Sequence, residues 1–199
     1  MKNLLLTILI SLVPYSWLHA QAVPGKPAPD FSAQDTSGKS RNLTEQKGKW
    51  VVLEWFNKDC PYVKKHYDSK NMQALQKKYT EKGVVWLSVI SSAKGKQGHQ
   101  TAAEALKTQN ENGSSATAIL LDESGVMGKA YGAKTTPHMY IINPEGQVVY
   151  AGAIDDNDSA SPKVIPKSKN YVVAALDAGL SGQKIEMAST KPYGCSVKY

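Results

Sequence analysis

The chain holds two cysteines, Cys60 and Cys195, among its 199 residues. Cys60 lies in the run Asn57-Lys58-Asp59-Cys60-Pro61-Tyr62-Val63-Lys64-Lys65. The apolar stretch Trp50–Phe56 before it reads as a buried strand, and Pro61 opens a long segment with helical spacing. That order puts a thiol at a helix N-terminus, where unpaired N–H groups and the helix dipole favour the nucleophilic thiolate. Lys64 and Lys65, within the next turn, also favour an anion there. Asp59 acts against it as an adjacent negative charge and is a candidate cap, while Asn57 offers a hydrogen bond.

Cys195 sits in the closing run Pro192-Tyr193-Gly194-Cys195-Ser196-Val197-Lys198-Tyr199. Val63 fills the second slot of a Cys-x-x-Cys arrangement, so a vicinal disulfide is excluded. Three readings of Cys195 stand open. It is a structural partner of Cys60, whose bridge stabilises by roughly 4–5 kcal/mol in the chain-entropy model; a resolving thiol on a mobile tail hinged at Gly194; or unpaired. His138 follows Pro137, and Cys60, His138 and Cys195 together are a donor set for soft Cu(I). No compact ligand spacing supports a metal centre, and no cofactor motif is present. His66 falls about 240° around the helix from Cys60 and is expected to face elsewhere. Glu54 is either a proton-transfer group beneath the site or a residue on an open face.

These side chains need a scaffold. Residues 1–22 read as a secretory leader, with Lys2, an apolar run Leu4–Val13 and the small-residue pattern Ala20-Gln21-Ala22. The expectation is a mature protein without membrane insertion in an oxidising compartment, secreted and periplasmic. Residues 23–181 are expected to form one α/β domain and residues 182–199 a tail carrying Cys195. A hairpin turn is read at Thr36–Lys39. Strand Trp50–Phe56, helix Pro61–Glu81, strand Gly83–Ser91, helix Thr101–Asn110 and strand Ala116–Asp122 then alternate over a parallel sheet. A short helix at Val126–Tyr131, a hairpin from Met139–Ile142 to Gln147–Ile154, and a last helix Asn170–Ala178 follow. The net charge of +7 is carried almost wholly by lysine, with Arg41 the single arginine, so nucleic-acid recognition through arginine forks is not indicated.

The alternation, the cysteine after an early strand, and Thr135-Thr136-Pro137 before the closing hairpin resemble the thioredoxin fold. The resemblance implies a cis proline at Pro137 beside the active cysteine, flanked by Thr136 and His138. The lead-in Gly25-Lys26-Pro27-Ala28-Pro29-Asp30-Phe31 looks like the redoxin, or alkyl hydroperoxide reductase/thiol-specific antioxidant, superfamily. Cys60-Pro61-Tyr62-Val63-Lys64-Lys65-His66-Tyr67 with the Cys195 tail is similar to its secreted, peroxiredoxin-like branch. It implies a thiol-dependent oxidoreductase acting through Cys60, with Cys195 as resolving or partner thiol. Peroxides or disulfides are the implied substrates, with an external thiol as reductant. Asn57 and Leu53 stand where a typical peroxiredoxin has Thr and Pro, and no arginine follows Arg41, so slow reaction with peroxide is expected. A copper-handling module and a domain held by a structural Cys60–Cys195 bridge are the alternatives.

Overall fold

The computed structural model describes residues 21–199. The leader read at residues 1–22 falls outside it except for Gln21 and Ala22. The sheet begins with the hairpin β1 (Ser32–Asp35) and β2 (Ser40–Asn42), turning where Thr36–Lys39 predicts it. Its centre is three parallel strands, β3 (Val51–Trp55), β4 (Val85–Ile90) and β5 (Ala118–Leu121). They are largely apolar, with Glu54 and Ser88 the buried polar exceptions, because both faces are covered. Helix α1 (Pro61–Asp68) and helix α2 (Asn71–Thr80) link β3 to β4, and α3 (Ala102–Asn112) links β4 to β5. After α4 (Val126–Tyr131) and the two-residue strand β6 (Thr135–Thr136), an antiparallel hairpin of β7 (His138–Ile142) and β8 (Val148–Gly152) closes the sheet. The strand order is β2-β1-β5-β4-β3-β7-β8.

Strand register decides which face each side chain serves. Val52, Phe56, Met139 and Ile141 join Cys60, Val63, Tyr67, Met72 and the last helix, α5 (Tyr171–Leu180), in one core layer. Val51, Leu53, Trp55, Tyr140 and Ile142 join Met127 and Tyr131 of α4 in the layer across the sheet.

Two elements depart from expectation. The helix predicted over Pro61–Glu81 is two helices, broken at Ser69–Lys70. The Ser69 hydroxyl donates back to the carbonyls of Lys65 and His66, and Lys70 takes a left-handed φ of 63°. The predicted burial of Val63, Tyr67, Met72, Leu75 and Tyr79 holds across the break. The tail is not a free segment. It forms β9 (Cys195–Ser196), paired antiparallel with β6, with Thr136 opposite Cys195. Upstream, Thr190 Oγ1 accepts from Ala153 N, and downstream Lys198 O accepts from Ala93 N at 2.8 Å.

Candidate functional site

Cys60 is the N-cap of α1, with Pro61 at the first helical position. Asn57 builds the turn that delivers it. Its side-chain oxygen accepts from Asp59 N at 2.9 Å, its carbonyl accepts from Cys60 N at 3.1 Å, and its amide donates to Gln97 O. Asn57 therefore shapes the loop, and its hydrogen-bonding groups are engaged by backbone. Asp59 does not cap α1. It points outward to Lys58 Nζ at 2.9 Å.

From the opposite side, β6 brings Thr136 and a cis Thr136–Pro137 peptide bond to the sulfur. The neutral Cys60 thiol donates to the Thr136 carbonyl at 3.0 Å. Ionisation removes that proton, and the Thr136 hydroxyl, buried and without another partner among the described residues, is then a donor at hand. The β6–β9 register places Cys195 against the same point, and both cysteines are free thiols. Gly194 makes this approach feasible. Its φ is 136°, and a Cβ there would collide with Thr136 O.

Burial pushes the Cys60 thiol up, but hydrogen bonds from the Cys195 thiol, from Thr136, and from the backbone N–H groups of Cys195 and Val63 together hold it below the ordinary thiol value. Cys195 moves the other way, to about 11, through its own desolvation, its hydrogen bond to Cys60 and the negative charge there; Lys198 opposes the shift weakly. The two sulfurs are thus shifted in opposite directions, Cys60 towards the thiolate and Cys195 towards the thiol. The N–H of Val63, in the first turn of α1, is the smallest of these contributions. The lysines do not enter: Lys64 is exposed, and Lys65 is fully buried elsewhere.

Lys65 belongs to a set of residues invisible as a group in the sequence. Its ammonium meets Asp155 Oδ2 at 3.2 Å, Asn157 O at 2.6 Å and the Tyr193 hydroxyl at 3.1 Å. The Tyr193 hydroxyl also donates to Asp155 and lies 3.3 Å from His66 Nε2. The Tyr193 ring packs at a tilt against Tyr62, with centroids 5.8 Å apart. This socket on α1 grips the tail two residues before Cys195. Burial holds His66 at about 4, so it is neutral there.

His138 is not beside the thiolate. It pairs with Trp55 across β7 and β3, and its ring stacks on Tyr140 in the far core layer, centroids 4.6 Å apart. Period-2 alternation is the reason: Pro137 reaches the site, and the next side chain on the strand turns to the other face. Glu54 is fully buried on the face that carries Cys60. It accepts from Tyr67 OH, Trp86 Nε1, Gln76 Nε2 and Ser88 Oγ at 2.8–3.2 Å. Burial raises its pKa against the pull of those four donors. The open-face reading of Glu54 is thereby removed.

A mixed sheet with a cysteine capping the helix after its central strand, facing a cis proline, defines a thioredoxin-like protein. The chain belongs to the AhpC/TSA family, whose model matches residues 24–151. Over 125 residues it is 30% identical to thiol-disulfide oxidoreductase ResA of Bacillus subtilis, covering 63% of this chain and 64% of that protein. It thus spans under two thirds of that relative's length. An uncharacterized conserved protein from Geobacillus kaustophilus superposes with a TM-score of 0.74 at 28% identity, over 89% of this chain and 92% of the other. A hypothetical protein from Sinorhizobium meliloti gives 0.75 at 22% identity, over 90% and 96%. The last shows the fold alone.

Proposed function

We propose that this protein is a secreted thiol–disulfide oxidoreductase whose redox pair is Cys60 and Cys195. The observation that carries the reading is the β6–β9 register, which seats Cys195 against the Thr136 carbonyl that also takes the Cys60 thiol. The opposed protonation preferences of the two sulfurs support it, since exchange needs one thiolate and one thiol that becomes a thiolate as its partner is consumed. The name of the Bacillus subtilis relative points the same way. A disulfide RSSR and the dithiol protein give two RSH and the internal bridge; an external thiol reductant reverses this. The apolar leader supports export to a compartment where such chemistry operates.

Exchange is favoured over peroxide reduction. Membership of the AhpC/TSA family keeps peroxide as a second reading. Peroxide cleavage, however, needs placed donors for the leaving oxygen, and the donors described at Cys60 already serve its sulfur. The copper reading loses its third donor, because His138 lies across the sheet.

Equilibration of the purified protein in glutathione buffers of graded potential, followed by acid quench and mass spectrometry, tests the pair. The expected outcome is a reversible Cys60–Cys195 bridge that responds to the buffer. A bridge indifferent to millimolar dithiothreitol would mark a structural disulfide, and no bridge at any potential would remove the pair. Parallel stopped-flow tryptophan fluorescence should show hydrogen peroxide oxidising the protein more slowly than an equal concentration of glutathione disulfide.

A further inference from the structure

We propose that sulfur exchange with outside molecules takes place at Cys195, and that Cys60 is an interior sulfur that exchanges only with Cys195. This rests on the redox-pair reading above. It inverts the order expected from the sequence, in which Cys60 meets the substrate and Cys195 resolves the intermediate.

Exposure is the first argument. Cys60 is 0% exposed, whereas Cys195 is half-buried. Strand β9 is what closes over Cys60, since its pairing with β6 sets Cys195 opposite Thr136, whose carbonyl accepts from the Cys60 thiol. The cleft of about 250 Å³ beside the first turn of α1 is walled by Phe56, Lys58, Asp59, Val63 and Lys64, and Cys60 is not part of that wall. An incoming sulfur does not reach Cys60 from there.

Direction is the second. A thiolate attacks a disulfide along the S–S axis, from the side opposite the sulfur that leaves. Attack on Cys60 would have to come from the side away from Cys195, and Cys60 is a fully buried member of the core layer that holds Phe56, Val63 and Tyr67. Attack on Cys195 is made on a half-buried residue of the tail.

The leaving group is the third. An external thiolate RS⁻ bonds to Cys195 Sγ, the Cys60–Cys195 bond breaks, and its electron pair stays on Cys60. Cys60 leaves as a thiolate already held by hydrogen bonds, and the sulfur of lower pKa departs faster. A second RS⁻ then attacks the outer sulfur of the Cys195 mixed disulfide, releasing RSSR, and Cys195 takes a proton from water. Two electrons pass from two thiols to the pair. Oxidation by RSSR follows the same path backwards: a transient Cys195 thiolate attacks RSSR and releases one RS⁻, and the Cys60 thiolate then attacks Cys195 Sγ and releases the second.

The test is the position of the first adduct. Protein carrying the internal bridge is mixed with excess reduced glutathione, quenched in acid within milliseconds, alkylated and peptide-mapped. Glutathione should be found on Cys195 at least tenfold more often than on Cys60, with the alkyl group on Cys60. In a second experiment, reduced Cys60→Ser and Cys195→Ser variants meet glutathione disulfide. After correction for each thiolate fraction, Cys195 should react at least tenfold faster than Cys60. Glutathione found mainly on Cys60, or equal corrected rates, overturns the assignment and leaves the pair intact. A protein that never forms the bridge overturns the pair itself, and this assignment with it.

Discussion

At Cys60 the local sequence is enough to place a thiol at a helix N-terminus, because a strand, a short turn and Cys-Pro specify a helix N-cap without distant help. It is not enough to find what lowers its pKa. Lys64 and Lys65 are adjacent in sequence but about 100° apart around a helix, so one faces water and the other enters the core. The donors that favour the Cys60 thiolate instead come mainly from Cys195 and Thr136. Removing a donor to a thiolate raises its pKa, so Cys195→Ala should raise the Cys60 pKa, while Cys195→Ser, which keeps an O–H, should raise it less. Ultraviolet thiolate absorbance against pH reads this directly. An unchanged midpoint in both variants would mean that Cys195 is not the donor.

The alternating elements were legible as a set, since their periodicity is strong and their turns are marked by Gly, Pro and Asn. The two-residue strands β6 and β9 were not, because two residues carry no periodicity and their pairing joins segments distant in the chain. For the same reason a mobile tail stands as one of the three readings of Cys195, although Tyr193 and Gly194, two of the residues that fix the tail, are in view. Tyr193 is the anchor most open to test. Tyr193→Phe keeps the packing against Tyr62 and removes the hydroxyl from Asp155, Lys65 and His66. Leaving those buried groups short of a partner should cost roughly 1–3 kcal/mol in urea unfolding. It should also loosen β9 over Cys60, so that iodoacetamide reaches Cys60 several-fold faster in the folded protein. A variant with wild-type stability and wild-type alkylation would show that the socket does not hold the tail.

Over the whole molecule, the sheet separates two core layers, and each buries a neutral histidine: His66 on the Cys60 face and His138 on the other. Burial lowers them from 6.5 to about 4 and about 3 respectively. A folded-state pKa depressed below the unfolded one contributes stability above the unfolded value and loses it as pH falls towards the folded value. Acid should therefore weaken this fold progressively from about pH 6.5 down to about pH 3–4. At roughly 1.4 kcal/mol per unit, the upper limits are about 3 kcal/mol for His66 and about 5 kcal/mol for His138. Glu54 has the opposite sign. Its raised pKa makes its contribution greatest in acid, and that contribution falls as pH rises from the ordinary carboxyl value through the raised one, so protonating it does not drive acid unfolding. Urea midpoints taken from pH 7 to pH 4 should fall steeply in the native protein and less steeply in His138→Gln. The flattened slope separates proton uptake by His138 from the cost of the substitution, because a packing loss displaces the whole curve, whereas removing a titrating group changes its slope.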